Sequence, residues 1–115
     1  MFQIIVSVMT KTFNPFNGPA SNRPHSWVSA TSAELSELIA SLRKHAARDM
    51  AMTDAELDSM EQIVSNSWSN SFKNVMTDFT ADEFINVAIL NEADMAQREA
   101  DLNALLGISG KETVH

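Results

Sequence analysis

Asp54, Asp58 and Glu61 stand at i, i+4 and i+7, a spacing that puts three carboxylates on one face of a helix. Such a set could hold a hard cation, which takes oxygen ligands. No histidine lies with them and no calcium-loop pattern with its required glycine is present, so a solvated acidic face is the better reading. His25, His45 and His115 are scattered, and none is spaced for a metal site or an acid–base couple. Cysteine and tyrosine are absent, which excludes thiolate chemistry and a disulfide framework. The many serines include none in a nucleophile elbow, and three glycines cannot build a phosphate-cradling loop. No catalytic residue, cofactor or metal ligand is expected, and the chain is not read as an enzyme.

Recognition is the chemistry that remains. Phe13, Phe16 and Trp27 lie in a stretch rich in turn formers, and aromatic side chains supply most of the contact energy at interfaces. Phe2, Ile4 and Val6 lie in an apolar, β-branched segment over residues 2–9 that reads as a strand with no second strand in the chain to pair with. A lone strand would satisfy its N–H and C=O groups on another copy or on a partner's sheet edge, the alternative being that the segment packs on the chain's own helices. Met95 and Leu102 repeat at seven residues, within Glu92-Ala93-Asp94-Met95 and Glu99-Ala100-Asp101-Leu102, and suit a seam facing another helix. These eight residues are the expected protein-interaction set. Asn14-Pro15-Phe16 also matches a tripeptide bound by endocytic adaptor domains, although Asn-Pro is a common turn starter. Met50, Met52, Met60, Met76 and Met95 fall on or beside apolar faces, where methionine serves either a core or an adaptable binding surface.

The elements that must position these residues read as helical. Thr31-Ser32-Ala33-Glu34, Thr53-Asp54-Ala55-Glu56 and Thr80-Ala81-Asp82-Glu83 each match a capping box, with staple pairs Ala30/Leu35, Met52/Leu57 and Phe79/Phe84. Leu35, Leu38, Ile39, Leu42 and Ala46 make one apolar face of a first helix over 33–48. The short connection that follows predicts an antiparallel second helix. That helix begins after Thr53 and is read as continuing to Phe79, because Trp68 and Phe72 keep the register through the serine-rich middle. A third helix is expected over 81–106, stopped by Gly107. The expected fold is therefore all-α, a three-helix antiparallel arrangement or small helical bundle over 31–107. An extended N-terminal arm over 1–30 carries one short strand-like segment, and 108–115 form a tail.

The chain has 115 residues and a net charge of −7, which bounds it to one small domain. The charge is uneven, +3 over residues 1–48 and −10 over 49–103. An acidic body is repelled by phosphate backbones, so direct nucleic-acid binding is not expected. The longest apolar run, residues 4–9, is far short of the ~20 residues of a membrane span, and it lacks the flanks of a signal peptide. A cytoplasmic or virion location follows as an expectation. The expected function is a non-catalytic structural or accessory subunit of a larger assembly, anchored by its arm on other protein subunits or on a second copy of itself. The alternative is a small acidic inhibitor or adaptor of phage type that docks on a basic protein surface.

Overall fold

A computed structural model describes residues 1–11 and 23–106. The elements run β1 (Phe2–Thr10), β2 (Trp27–Ser32), α1 (Leu35–Asp49), α2 (Asp54–Ser69), β3 (Asn74–Thr80), β4 (Glu83–Leu90) and α3 (Glu92–Leu106). The four strands form one antiparallel sheet in the order β2-β1-β4-β3. The fold is thus α+β, not all-α, and a mixed two-layer architecture replaces the helical bundle. It carries no sign of the viral or structural role expected with that bundle.

The strand at the N-terminus is where the chain differs most from an extended arm. β1 is central, paired with β2 on one side and β4 on the other, so its main-chain groups are satisfied within the chain. Its side chains alternate. Ile4, Val6 and Val8 are fully buried, whereas Gln3, Ile5, Ser7 and Met9 point to the opposite face. Ile85 and Val87 of β4 and Val28 and Ala30 of β2 join the buried side. Leu38, Leu42 and Ala46 of α1 and Leu57, Met60 and Val64 of α2 close over it, with Met50 and Met52 from the turn between the helices. All of the buried core lies on this one side of the sheet.

Only the middle capping box exists. Thr53 Oγ1 accepts from Glu56 N–H at 3.2 Å, and the Glu56 carboxylate accepts from Thr53 N–H at 2.9 Å. Thr31 belongs to β2, and α1 starts beyond it with Glu34 as its N-cap. Thr80 pairs with Glu83 across a two-residue hairpin turn, Ala81-Asp82, with its hydroxyl accepting from Asp82 N–H at 3.3 Å. Ala81 and Asp82 both keep negative φ, and the register shift between Asp78 and Thr80 absorbs the twist that a primed turn would have supplied.

α2 stops at Ser69 and does not continue to Phe79. Ser71 adopts φ 57°, its N–H bonds to Trp68 O at 3.1 Å, and Phe72 N–H bonds to Ser67 O at 2.9 Å. This is a complete Schellman stop with serine at the position glycine usually takes. The true start of α3 is Asn91, whose side chain accepts from Asp94 N–H at 2.8 Å while Asp94 accepts from Asn91 N–H at 3.2 Å. The expected stop at Gly107 lies outside the described residues.

Candidate functional site

The second face of the sheet has no layer over it among the described elements. Directly paired residues share a face, so its rows follow from the register. Trp27, Ser7, Asn86 and Met76 form one row across all four strands. Ser29, Ile5, Ala88 and Asn74 form the next. Thr31, Gln3 and Leu90 close one end, and Met9, Phe84 and Asp78 the other. Trp27 and Met76 are each 59% exposed. The charged groups at the Asp78 end are paired, Lys11 Nζ lying 3.2 Å from Asp78 Oδ1 and 5.3 Å above the Phe84 ring. The rest of the surface is uncharged, with aromatic and methionine side chains set among serine, threonine and asparagine.

The expected interaction residues fall in five places. Trp27 is on this uncovered face. Ile4 and Val6 point away from it into the core and are fully buried, because β1 pairs with its own sheet. Phe2 is half-buried and meets Trp68 edge to face, with ring centroids 4.7 Å apart. This pair floors a groove of about 350 Å³ between the end of α2 and the start of α3, with Phe72 and Ile89 on its walls and Lys73 and Asp94 on its rim. Met95 and Leu102 lie on α3, which has no buried residue; Leu102 is 53% and Leu105 81% exposed. Phe13 and Phe16 lie outside the described residues. Sequence reasoning missed Ile5, Met9, Met76 and Phe84 as a set, because they converge only once β3 and β4 exist.

The ionisable groups are arranged as ties. Arg23 donates from Nε to Glu83 Oε2 at 3.0 Å and from Nη2 to Glu83 Oε1 at 2.9 Å, pairs with Glu56 through Nη2 and Nη1, and reaches Met50 O at 3.1 Å. Its guanidinium also sits 5.6 Å from the Phe79 ring centroid. Burial pushes the Glu56 carboxyl up, but the hydrogen bonds from Arg23 and from Thr53 outweigh it and hold the group below its ordinary range. At the start of α3, the Asn91 N–H and then Lys73 hold Asp94 low. Arg43 bridges Asp58 at 2.9 Å and Glu61 at 3.2 Å, tying α1 to α2. Two of the three carboxylates first considered as cation ligands are thus engaged by a guanidinium.

His45 Nδ1 lies 3.2 Å from Ser29 O on the outer side of β2. Among the described residues no group of three or more His, Asp or Glu side chains is placed to hold a metal ion. No described helix is long and apolar enough to cross a membrane. Comparison with protein-family models, with characterised proteins and with solved structures finds no match.

Proposed function

We propose that this chain is a non-catalytic, protein-binding accessory subunit that docks through the uncovered face of its sheet. One observation carries the reading. On a chain that is 20% charged, the face built on Ile5, Ser7, Met9, Trp27, Met76, Phe84 and Asn86 has charged side chains only at one end, where they pair with each other. Interface centres are depleted of charge and enriched in aromatic residues and methionine, whereas ordinary surface is not. A contiguous patch of this kind on a sheet normally meets another layer. The partner it fits is a protein presenting a weakly polar, uncharged surface.

α3 gives the docking site a second part. It leaves the sheet directly after Leu90, one corner of the face, and holds Leu102, Leu105 and Leu106 in solvent. Its Glu99 and Asp101 favour basic residues at the rim of the partner, which would speed encounter more than they tighten the complex. The acidic-inhibitor alternative gains little from this arrangement, since Glu56, Asp58, Glu61, Glu83 and Asp94 are all engaged in ion pairs.

Oxidative footprinting of the chain in its native complex, against the purified chain, tests the proposal. Trp27, Met9 and Met76 should be protected in the complex, while Ala47→Met, a reporter on the exposed side of α1 away from both the uncovered face and β3, should not change. Equal reactivity of Trp27 and Met76 in both samples would overturn it.

A further inference from the structure

We propose that two copies of this chain join edge to edge through β3, antiparallel about a two-fold axis at Met76, into one continuous sheet. Among the described residues β3 ends the sheet, with no strand on its outer side. Ile89 N–H bonds to Lys73 O at 2.9 Å, which makes Asn74 and Ala88 a non-hydrogen-bonded pair. Alternation then assigns the main-chain groups of Val75 and Thr77 to β4 and turns those of Asn74, Met76 and Asp78 outward. The strand has no proline and no lysine, two devices that blunt an edge, and its bulge begins only after Asp78.

The opposite edge is treated differently. Val8 N–H bonds to Ser26 O at 2.7 Å, and the same alternation turns the Ser29 carbonyl outward from β2. His45 Nδ1 sits on that carbonyl at 3.2 Å. The central outward carbonyl of that edge is therefore occupied by a side chain of the protein itself. No described side chain or main-chain group is recorded on the outward groups of Asn74 and Met76.

β3 is complementary to itself. With Met76 on the axis, Met76 faces the other copy's Met76, and Asn74 faces the other copy's Asp78. The asparagine amide is a donor and the carboxylate an acceptor, so the flanking pairs can hydrogen-bond without opposing like charges. Val75 faces Thr77 on the helix side. The outward main-chain groups of all three residues meet their counterparts in this register, and shifting it by two residues leaves Asn74 or Asp78 of each copy unmatched.

The flank suits the approach of two acidic copies. Between α2 and β3 runs a groove of about 670 Å³ whose helix wall is Ser59, Gln62, Asn66 and Ser69. These side chains are uncharged and mostly short, on a molecule of net charge −7. Two such walls face each other across the axis with no charged side chain on either helix wall. This is an isologous contact that closes on itself.

Sedimentation of the full-length chain over roughly 1–300 µM, a range set for a contact below the standard interface size, tests the dimer. The mass should rise from 12.7 kDa to twice that value with concentration. Met76→Pro removes an outward N–H and no bond to β4, so it should unfold cooperatively and stay monomeric. Asn74→Asp sets carboxylates against Asp78 and should raise the dissociation constant at least tenfold. Adding Asp78→Asn to that variant should restore it, and this exchange decides the register even if the proline variant fails to fold. Ser7→Asp, at the centre of the uncovered face, should leave the dimer unchanged, so this proposal and the docking reading fail separately. A chain that stays monomeric throughout, or an exchange that does not restore dimerisation, overturns the proposal.

Discussion

Thr53 and Thr31 carry the same four-residue pattern and should answer mutation differently. Thr53→Ala removes a cap hydroxyl that holds Glu56 N–H and should cost about 1 kcal/mol. Thr31→Ala touches no helix end and should stay within about 0.5 kcal/mol, since Thr31 sits in β2 on the uncovered face. Chemical denaturation of both variants checks the contrast. Glu56 does two jobs, closing the box on Thr53 and pairing with Arg23, which in turn holds Glu83 of the distant hairpin. Its folded pKa lies below the ordinary value of 4.5. Protons therefore bind the unfolded chain first, so its contribution is complete well above pH 4.5 and is lost as pH falls through the depressed folded value. Denaturation midpoints should drop between pH 6 and pH 3, and Glu56→Gln should make that drop shallower. Arg23→Met should destabilise at pH 7 by about 3 kcal/mol, because it takes the guanidinium away from two poorly exposed carboxylates. The loss should shrink in acid, as those carboxylates protonate. An equal loss at pH 7 and pH 4 would mean that Arg23 acts through packing and not charge.

The elements legible in the sequence are those whose signal is local. The apolar stripe Leu38, Leu42 and Ala46 gave α1, the Thr53 box gave the start of α2, and the β-branched run gave β1. The hairpin of β3 and β4 was missed because a pattern with two physical uses was assigned the wrong one. Thr80-Ala81-Asp82-Glu83 fits a helix start, but a threonine hydroxyl also supports a turn, and Ile85, Val87 and Ile89 alternate as a strand does. With β3 and β4 read as helix, β1 lacked its neighbour and was expected to pair outside the chain. The uncovered face was illegible for the same reason, since its rows need three registers at once, whereas Trp27 stood out by type alone. The stop of α2 was hidden because serine fills a glycine position. Ser71→Gly should relieve the left-handed strain and raise stability by about 0.5 kcal/mol, checked by thermal melting. α3 makes the complementary case. Among the described residues, truncation after Asn91 removes no buried side chain, and the ion pairs it removes, Met1 with Glu92 and Lys73 with Asp94, lie at the surface. It should leave cooperative unfolding intact and cost no more than about 1 kcal/mol. Collapse of the truncated chain would show that α3 is part of the folding unit.

At the scale of the whole molecule, one layer of helices covers one side of one sheet, and the sheet's two sides carry different tasks. β1 displays both, because its successive side chains face opposite ways. Val6 is fully buried against α1 and α2, and its neighbour Ser7 lies at the middle of the uncovered face, between Trp27 and Asn86. A single new charge should therefore have opposite meanings at adjacent positions. Val6→Asp buries a carboxylate with no partner in the core and should cost several kcal/mol, enough to unfold a chain of this size. Ser7→Asp adds a solvated charge and should change stability by no more than about 0.5 kcal/mol. If the face docks on a partner, the same Ser7→Asp should weaken the native complex severely, because docking would strand the carboxylate away from water. That loss should persist at high salt, where long-range steering by the acidic surface is already screened beyond about 3 Å at 1 M. Denaturation separates Val6→Asp from Ser7→Asp, and titration of the native partner separates Ser7→Asp from the parent chain. A Ser7→Asp variant that unfolds like Val6→Asp would mean that the chain covers this face itself, and one that binds like the parent would move the docking surface elsewhere.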